Sequence, residues 1–333
     1  DNITYANTNT KKDCITNLTG GVLANYEGKK SSASFAGNLI QQIFAEHSNY
    51  TNLSEDGALT FNSELTKRSR MSLKDVLSHT YDYRSFEEAF GAPAGRYSYF
   101  RNRFYADLTM DLLKQLSLIL KYQNNIDLPS KPDISDSYYN LGGADLEYYI
   151  TTKTIVMGTY YFSVRKFDPG RDATTQSMGG GVRQYMTDQL YFDLKAALDY
   201  IVSYDNIAYI KPMFNASLTG ELDKRTTATI GFDRQYYTNS YSQDLFDYWQ
   251  VSANFARQLL ARLRFVIGGF YGNGRYVAQG VQDNLYGLNA SMEYELTRRA
   301  TARISYSYSK TDSDQNSRDY TKNTAYAGLK MEF

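Results

Sequence analysis

This chain of 333 residues has almost no cysteine: Cys14 stands alone, so no intrachain disulfide can form. Histidine occurs only twice, at His47 and His79, tryptophan once and proline five times. One Cys and two His, with no spaced carboxylate loop, give no metal-ligand constellation, and no cofactor is expected. Neither sign of charge is in excess, because 36 Lys and Arg balance 36 Asp and Glu. With no basic excess there is no electrostatic case for nucleic acid. No apolar run approaches the roughly 18–20 residues that a membrane helix needs, which excludes a helical membrane protein. Mean hydropathy is −0.53. The chain begins at Asp1 without a basic-plus-apolar leader, which reads as a mature, processed protein.

What the chain does have is tyrosine, 32 of them with 17 Phe, and 23 Gly that suit strands joined by tight turns. Tyrosine joins an apolar ring to a wet hydroxyl, which fits membrane–water interfaces and water-filled lumens. Apolar residues recur with period two over segments of about a dozen residues. Leu190, Phe192, Leu194, Ala196, Leu198, Tyr200 and Val202 share one face, against Tyr191, Asp193, Lys195, Ala197 and Asp199. Phe104 to Leu112 alternates in the same way with Arg101, Arg103, Tyr105, Asp107, Thr109 and Asp111, and so do the segments 262–269, 286–296 and 300–308. Soluble strands usually run about 5–6 residues, whereas repeated segments twice that length suit tilted strands that cross a bilayer.

The connections fall into two sets. Tight polar turns stand at 28–31, 67–69, 114–115, 152–153, 187–189, 223–225, 258–261 and 297–299. Mostly longer loops stand near 9–13, 46–57, 84–95, 126–135, 167–174, 204–206, 239–244, 273–282 and 311–320. Eight turns and nine loops predict about eighteen strands, the first over Asn2 to Asn9, with both termini on the turn side. Sixteen is the alternative, because alternation slips at Gln41 and Asp75. The chain stops on a further alternating strand. Phe333, Met331, Leu329 and Ala327 lie on one face, and Glu332, Lys330, Gly328 and Tyr326 on the other.

That ending resembles the C-terminal assembly signal of bacterial outer-membrane β-barrels, polar-x-Gly-x-x-apolar-x-aromatic, with Tyr326, Gly328, Met331 and Phe333 in its four positions. Through the alternation and this signal the chain resembles outer-membrane β-barrel porins over its whole length. Its size, short loops and Tyr-rich strands also look like the β-barrel porins encoded beside exopolysaccharide export systems. The expectation is one transmembrane antiparallel β-barrel domain over 1–333, closed into a cylinder, with short periplasmic turns and both termini in the periplasm. It would sit in the outer membrane of a Gram-negative bacterium, contacting outer-membrane lipid and the barrel-assembly machinery. The second resemblance implies a polysaccharide cargo and periplasmic polysaccharide-export proteins as partners.

Under that reading the pore-lining side chains are Arg101, Arg103, Asp107, Asp111, Asp145, Glu147, Arg183, Asp193, Lys195, Lys211, Arg262, Arg264, Glu293, Glu295 and Arg303. A lumen of both signs passes polar solutes with modest charge preference. Basic Arg262 and Arg264 against acidic Glu293 and Glu295 is either a cross-strand ion-pair network or a transverse field across the pore. Inward Tyr105, Tyr149, Tyr185, Tyr191 and Tyr209 either stack on sugar rings or fill space. The best candidate for an infolded constriction is the loop 84–95. The function expected is passive translocation of polar solutes, with oligosaccharide or polysaccharide export as its specific form. A scaffold barrel around another outer-membrane or electron-transfer component and an outer-membrane hydrolase are the rivals. Catalysis has little support: Ser78 and His79 point to opposite faces of a strand. The run Gly268–Gly274 follows a strand and leads into a loop rather than a helix, so a phosphate cradle fails its context. Gly179–Gly181 reads as a thin spot in the wall or a bend.

Overall fold

The computed structural model describes residues 2–4, 9–81, 96–132, 134–170, 172–203, 206–238 and 244–332. Seventeen long strands account for nearly all of them. They are β1 (Ile15–Glu27), β2 (Ser31–Phe44), β3 (Asn52–Thr66), β4 (Ser69–Thr80), β5 (Tyr99–Leu113), β6 (Leu116–Pro129), β7 (Asp136–Tyr149), β8 (Thr154–Asp168) and β9 (Ala173–Tyr185). They continue as β10 (Leu190–Val202), β11 (Ala208–Asp223), β12 (Thr226–Thr238), β13 (Leu245–Leu260), β14 (Leu263–Tyr276), β15 (Gln282–Thr297), β16 (Ala300–Ser313) and β17 (Tyr320–Met331). Two 3-10 turns, Ser48–Tyr50 and Asn316–Arg318, complete the secondary structure. Each strand pairs antiparallel with the next, so the sheet is one uninterrupted meander from β1 to β17.

The turns at one end share a construction. At five of them the register slips by one residue just before a two-residue turn, between Glu64 and Thr66, Asp111 and Leu113, Glu221 and Asp223, Gln258 and Leu260, and Glu295 and Thr297. A bulge there increases the right-handed twist that a tight hairpin needs. Short polar side chains satisfy the turn backbone: Asp223 accepts the Arg225 N–H at 2.7 Å, and the Thr66 and Thr297 hydroxyls accept Arg68 and Arg299 N–H at 3.1 and 3.2 Å. The opposite end carries the longer loops.

The burial pattern is inverted relative to a soluble sandwich. In β10, Leu198 is 59% exposed while its neighbour Asp199 is 5% exposed. Met178, Ile210, Ile230 and Ile304 are also exposed, as are the outward leucines of β2 and β3. Apolar side chains on the outside of a long-stranded sheet need a hydrocarbon solvent. The buried apolar clusters are small and sit toward the loop end: Tyr97, Tyr99 and Ile134; Ile201, Tyr236 and Leu245; Phe246, Tyr276 and Leu285. Nearby on the outer face, tyrosine hydroxyls find asparagine partners on the adjacent strand. Tyr122 donates to Asn140 at 2.9 Å, Tyr271 to Asn284 at 3.3 Å and Tyr306 to Asn323 at 2.6 Å. These bonds pair each hydroxyl across the sheet, so a ring on the outer face carries no unsatisfied donor into an apolar surrounding.

Three expectations are corrected. Seventeen strands are present among the described residues, against the expected count of about eighteen. The expected strand over 2–9 falls partly on residues outside those described, but Asn2 donates to the Thr321 carbonyl and the Ile3 N–H to the Lys11 carbonyl. Asn2 therefore lies at the loop end, beside the start of β17, and not at the turn end with the C-terminal residues of β17. Finally, the sheet does not close. With an odd count β1 and β17 run parallel, and no ladder joins them among the described residues. β1 is exposed at every position. An even count would have brought the two edges together antiparallel. The glycine run 268–274 also falls within β14 rather than at a strand-to-loop junction.

Candidate functional site: a charged inner wall

The polar face of the sheet is concave. Tyr105 of β5 and Gln235 of β12 bound the same cavity of about 520 Å3, which side chains from strands so far apart along the meander can do only inside a curved wall. A second cavity of about 610 Å3 shares Asp107 and Lys121 with the first and continues to Lys30 and Ser31 at the turn end. At the loop end the first reaches Ala173, the first residue of β9, and Tyr236. The two together follow the long axis of the wall.

The charges on this face form pairs between strands. Asp127 of β6, 3% exposed, is the largest junction. It accepts from the Tyr99 hydroxyl at 2.6 Å, Arg103 at 2.7 Å and Arg101 at 3.2 Å, and Arg165 of β8 stands 3.8 Å away. Arg101 also lies over the Tyr99 ring at 4.8 Å. Period-two geometry explains the convergence: Arg101 and Arg103 project from one face of β5, and Asp127 stands directly opposite Arg101 on β6. Lys121 meets Asp145 of β7 at 2.7 Å, and the Tyr161 hydroxyl donates to the same carboxylate. Arg183 of β9 forks onto Asp193 of β10 at 2.8 and 3.0 Å, the two-bond geometry that makes an Arg–carboxylate pair strong. Arg303 stands 3.7 Å from Glu293, Arg70 stands 3.6 Å from Asp111, and Ser117 donates to Asp111 at 2.8 Å. The Tyr149 hydroxyl reaches Glu147 at 3.5 Å.

Of the remaining candidates, Lys195, Asp107, Arg264 and Glu295 form no ion pair among the described residues. Lys211 instead lies over the Tyr209 and Tyr236 rings at 5.8 and 5.5 Å. Arg262 is in the exposed turn before β14, not in the strand. Glu293 pairs with Arg303 of β16, while Arg264, its opposite number in β14, is not within pairing distance, so the expected network between Arg262, Arg264, Glu293 and Glu295 does not form among the described residues. Tyr185 and Tyr191 pack ring against ring at 5.5 Å. Gly179 and Gly181 leave no room for a Cβ, which would stand 2.4 and 2.5 Å from the Ala196 and Leu194 carbonyls of β10. The strands approach too closely there for any other residue.

The assembly-signal residues lie on β17, except Phe333, which is outside the described residues. At Gly328 the exposed Tyr326 ring folds over the strand, its hydroxyl lying where a Cβ would point. The loop 84–95 also lies outside the described residues. Asp127 and Arg165 are the members that sequence reading missed. The region 126–135 reads as a loop, but β6 extends to Pro129 and keeps Asp127 in phase with Lys121, Gln123 and Asn125.

At the loop end a second carboxylate acts as a staple. Asp13, whose side chain is fully shielded, accepts the N–H groups of Ala45, Glu46 and His47 at 2.9, 3.0 and 2.8 Å, and its carboxylate meets His47 Nδ1 at 2.9 Å. Burial pushes its pKa up, but the backbone donors and the imidazole outweigh that and hold it down at about 2. This pairing gives His47 a structural partner. His79 packs against Tyr81 with ring centres 5.7 Å apart.

An apolar exterior, long meandering strands with short turns at one end, and a polar concave interior define an outer-membrane β-barrel protein of a Gram-negative bacterium. Residues 209–333, which span β11 to β17, match the family described as "Putative beta-barrel porin 2". Among solved structures, the chain is similar to the copper transporter OprC, with a TM-score of 0.55 and 11% identity over 96% of this chain and 64% of that one. It is also similar to the FrpB iron transporter from Neisseria meningitidis in its F3-3 variant, with a TM-score of 0.52 and 8% identity over 95% and 64% of the two chains. The siderophore receptor PirA from Acinetobacter baumannii gives a TM-score of 0.51 and 8% identity over 97% and 72%. The chain thus covers less than two thirds of the length of FrpB F3-3 and OprC. At these identities the likeness is one of fold. No curated protein sequence matches the chain.

Proposed function

We propose that the chain forms a passive channel for polar solutes across the outer membrane. The observation that carries this reading is the pair of cavities sharing Asp107 and Lys121, which together run from Tyr236 near the loop end to Lys30 at the turn end along a wall of both charge signs. A wall of cross-strand pairs, with the unpaired charges divided between Asp107 and Glu295 on one side of the balance and Lys195 and Arg264 on the other, offers hydrogen bonds to a solute without strong selection of either ion. The fifteen side chains named from the sequence are the proposed lining, with Asp127 and Arg165 added and Arg262 placed at the mouth. Tyr105, Tyr139 and Tyr161 present rings to the first cavity, which supports an oligosaccharide or polysaccharide as the specific cargo. Periplasmic export proteins would then be the partners, and Tyr326, Gly328, Met331 and Phe333 the signal for the assembly machinery. No hydrolytic role is assigned.

Planar-bilayer conductance of the purified barrel tests the proposal. Stable unitary currents are expected, with partial block by a neutral oligosaccharide such as maltohexaose. Currents without block would remove the sugar reading and keep the channel. Silence in bilayers would remove the channel and favour a scaffold barrel.

A further inference from the structure

The short turns carry a charge bias that the balanced composition hides. Four of the eight hold adjacent basic pairs, at 29–30, 67–68, 224–225 and 298–299, and Lys114, Lys153 and Arg262 stand in three more. Asp188 is the one acid between the strand ends at these turns, and Asp223 closes β11 at the edge of another. All eleven basic residues are exposed, and none forms an ion pair among the described residues. Of the nearby acids, Glu27, Glu64, Glu221 and Glu295 are exposed at or near the strand ends and are outnumbered by the eleven bases, and the other two are engaged. Asp223 is taken up by the Arg225 N–H and the Thr226 hydroxyl, and Glu332 by Lys330 at 2.7 Å.

We infer that this basic rim binds the phosphate headgroups of anionic phospholipids in the leaflet at the turn end. Two features favour lipid over an acidic protein or an anionic cargo. The cations are spread over seven turns, from β1–β2 to β15–β16, and so surround the wall instead of forming a patch on one side. Exposed apolar side chains also sit within a few residues of them: Leu65 before Lys67, Leu113 before Lys114, Ile150 before Lys153, Leu222 before Lys224, Leu260 before Arg262 and Leu296 before Arg298. An apolar group in the acyl region beside a cation at the headgroup is the pattern of an interfacial anchor. The inference holds whether or not the lumen conducts.

The test reconstitutes the full chain into nanodiscs of equal phosphatidylcholine and phosphatidylglycerol and counts the lipids it retains by native mass spectrometry. The wild type should keep phosphatidylglycerol in at least severalfold excess, and the preference should collapse in 1 M salt, where the Debye length is about 3 Å. A variant carrying Lys29→Gln, Lys30→Gln, Lys67→Gln, Arg68→Gln, Arg298→Gln and Arg299→Gln should lose most of the preference. Because that variant alters six surface positions, its gel shift on heating is measured alongside, and the two separate pairs Lys67→Gln/Arg68→Gln and Arg298→Gln/Arg299→Gln serve if it fails to fold. Neutralising Lys11 and Lys12 at the loop end should change nothing. Equal retention of both lipids by the wild type overturns the inference, as does a preference that survives in the rim variants. Binding of soluble polyglutamate to the rim without lipid preference would overturn it in favour of an acidic protein.

Discussion

Replacing Asp127 by Asn should loosen the whole barrel wall. The substitution keeps the shape of the side chain but removes the charge that faces Arg101, Arg103 and Arg165. Two guanidiniums and the Tyr99 hydroxyl bond this carboxylate directly. Breaking a buried ion pair by removing one partner costs about 3–5 kcal/mol. Here the arginine side chains are 14–19% exposed, so water replaces part of what they lose. The cost therefore falls near the lower end, about 3 kcal/mol, or roughly a hundredfold in the folding equilibrium. The single Trp249 packs against Phe232 and Tyr271 at ring distances of 6.3 and 5.5 Å and supplies an internal fluorescence signal for urea titration in lipid vesicles. The midpoint should fall with little change in slope. The same variant leaves three cations facing the cavity wall without their carboxylate, so the reversal potential in a salt gradient should shift toward anions. A variant with unchanged midpoint and unchanged reversal potential would refute the view that this junction ties β5, β6 and β8 together.

Further outcomes follow from the same geometry. Leu198→Arg places a charge in the lipid-facing band near the middle of β10 and should destabilise the barrel by about 2–4 kcal/mol, whereas Lys195→Gln on the opposite face should stay within about 0.5 kcal/mol; equal effects in urea titrations would mean the faces are wrongly assigned. The Asp13 staple has a depressed pKa, so its contribution is full above the ordinary carboxylate range near pH 4 and is lost as pH falls through about 2. The amide resonances of Ala45, Glu46 and His47 should report that titration, and a midpoint near 4 would contradict it. Phe333→Ala should lower the yield of assembled barrel in cells without changing the unitary current of the molecules that do assemble.

Much of the architecture was legible because side-chain alternation is a local property of the chain. Leu198 and Asp199 differ in environment because successive Cβ atoms point to opposite faces, and that holds whatever the strands later pair with. Tight turns were legible for the same reason: Asp223 and Thr297 bond to backbone within two residues of themselves. Strand ends were less visible. Asn125 and Asp127 are polar enough to read as loop, yet they are strand residues on a wet inner face, where polarity no longer separates strand from loop.

Sequence alone determined the class of fold, the two faces of each strand and the end with short turns. Tertiary structure decided which carboxylate collects which guanidinium, because Arg165 and Asp127 meet across an intervening strand and no local pattern sets that distance. It also decided how the sheet edges stand among the described residues, where no ladder joins β1 to β17. Whether β1 and β17 meet, and in which direction, depends on the summed count and curvature of all the pairings between them, a quantity that no single segment encodes.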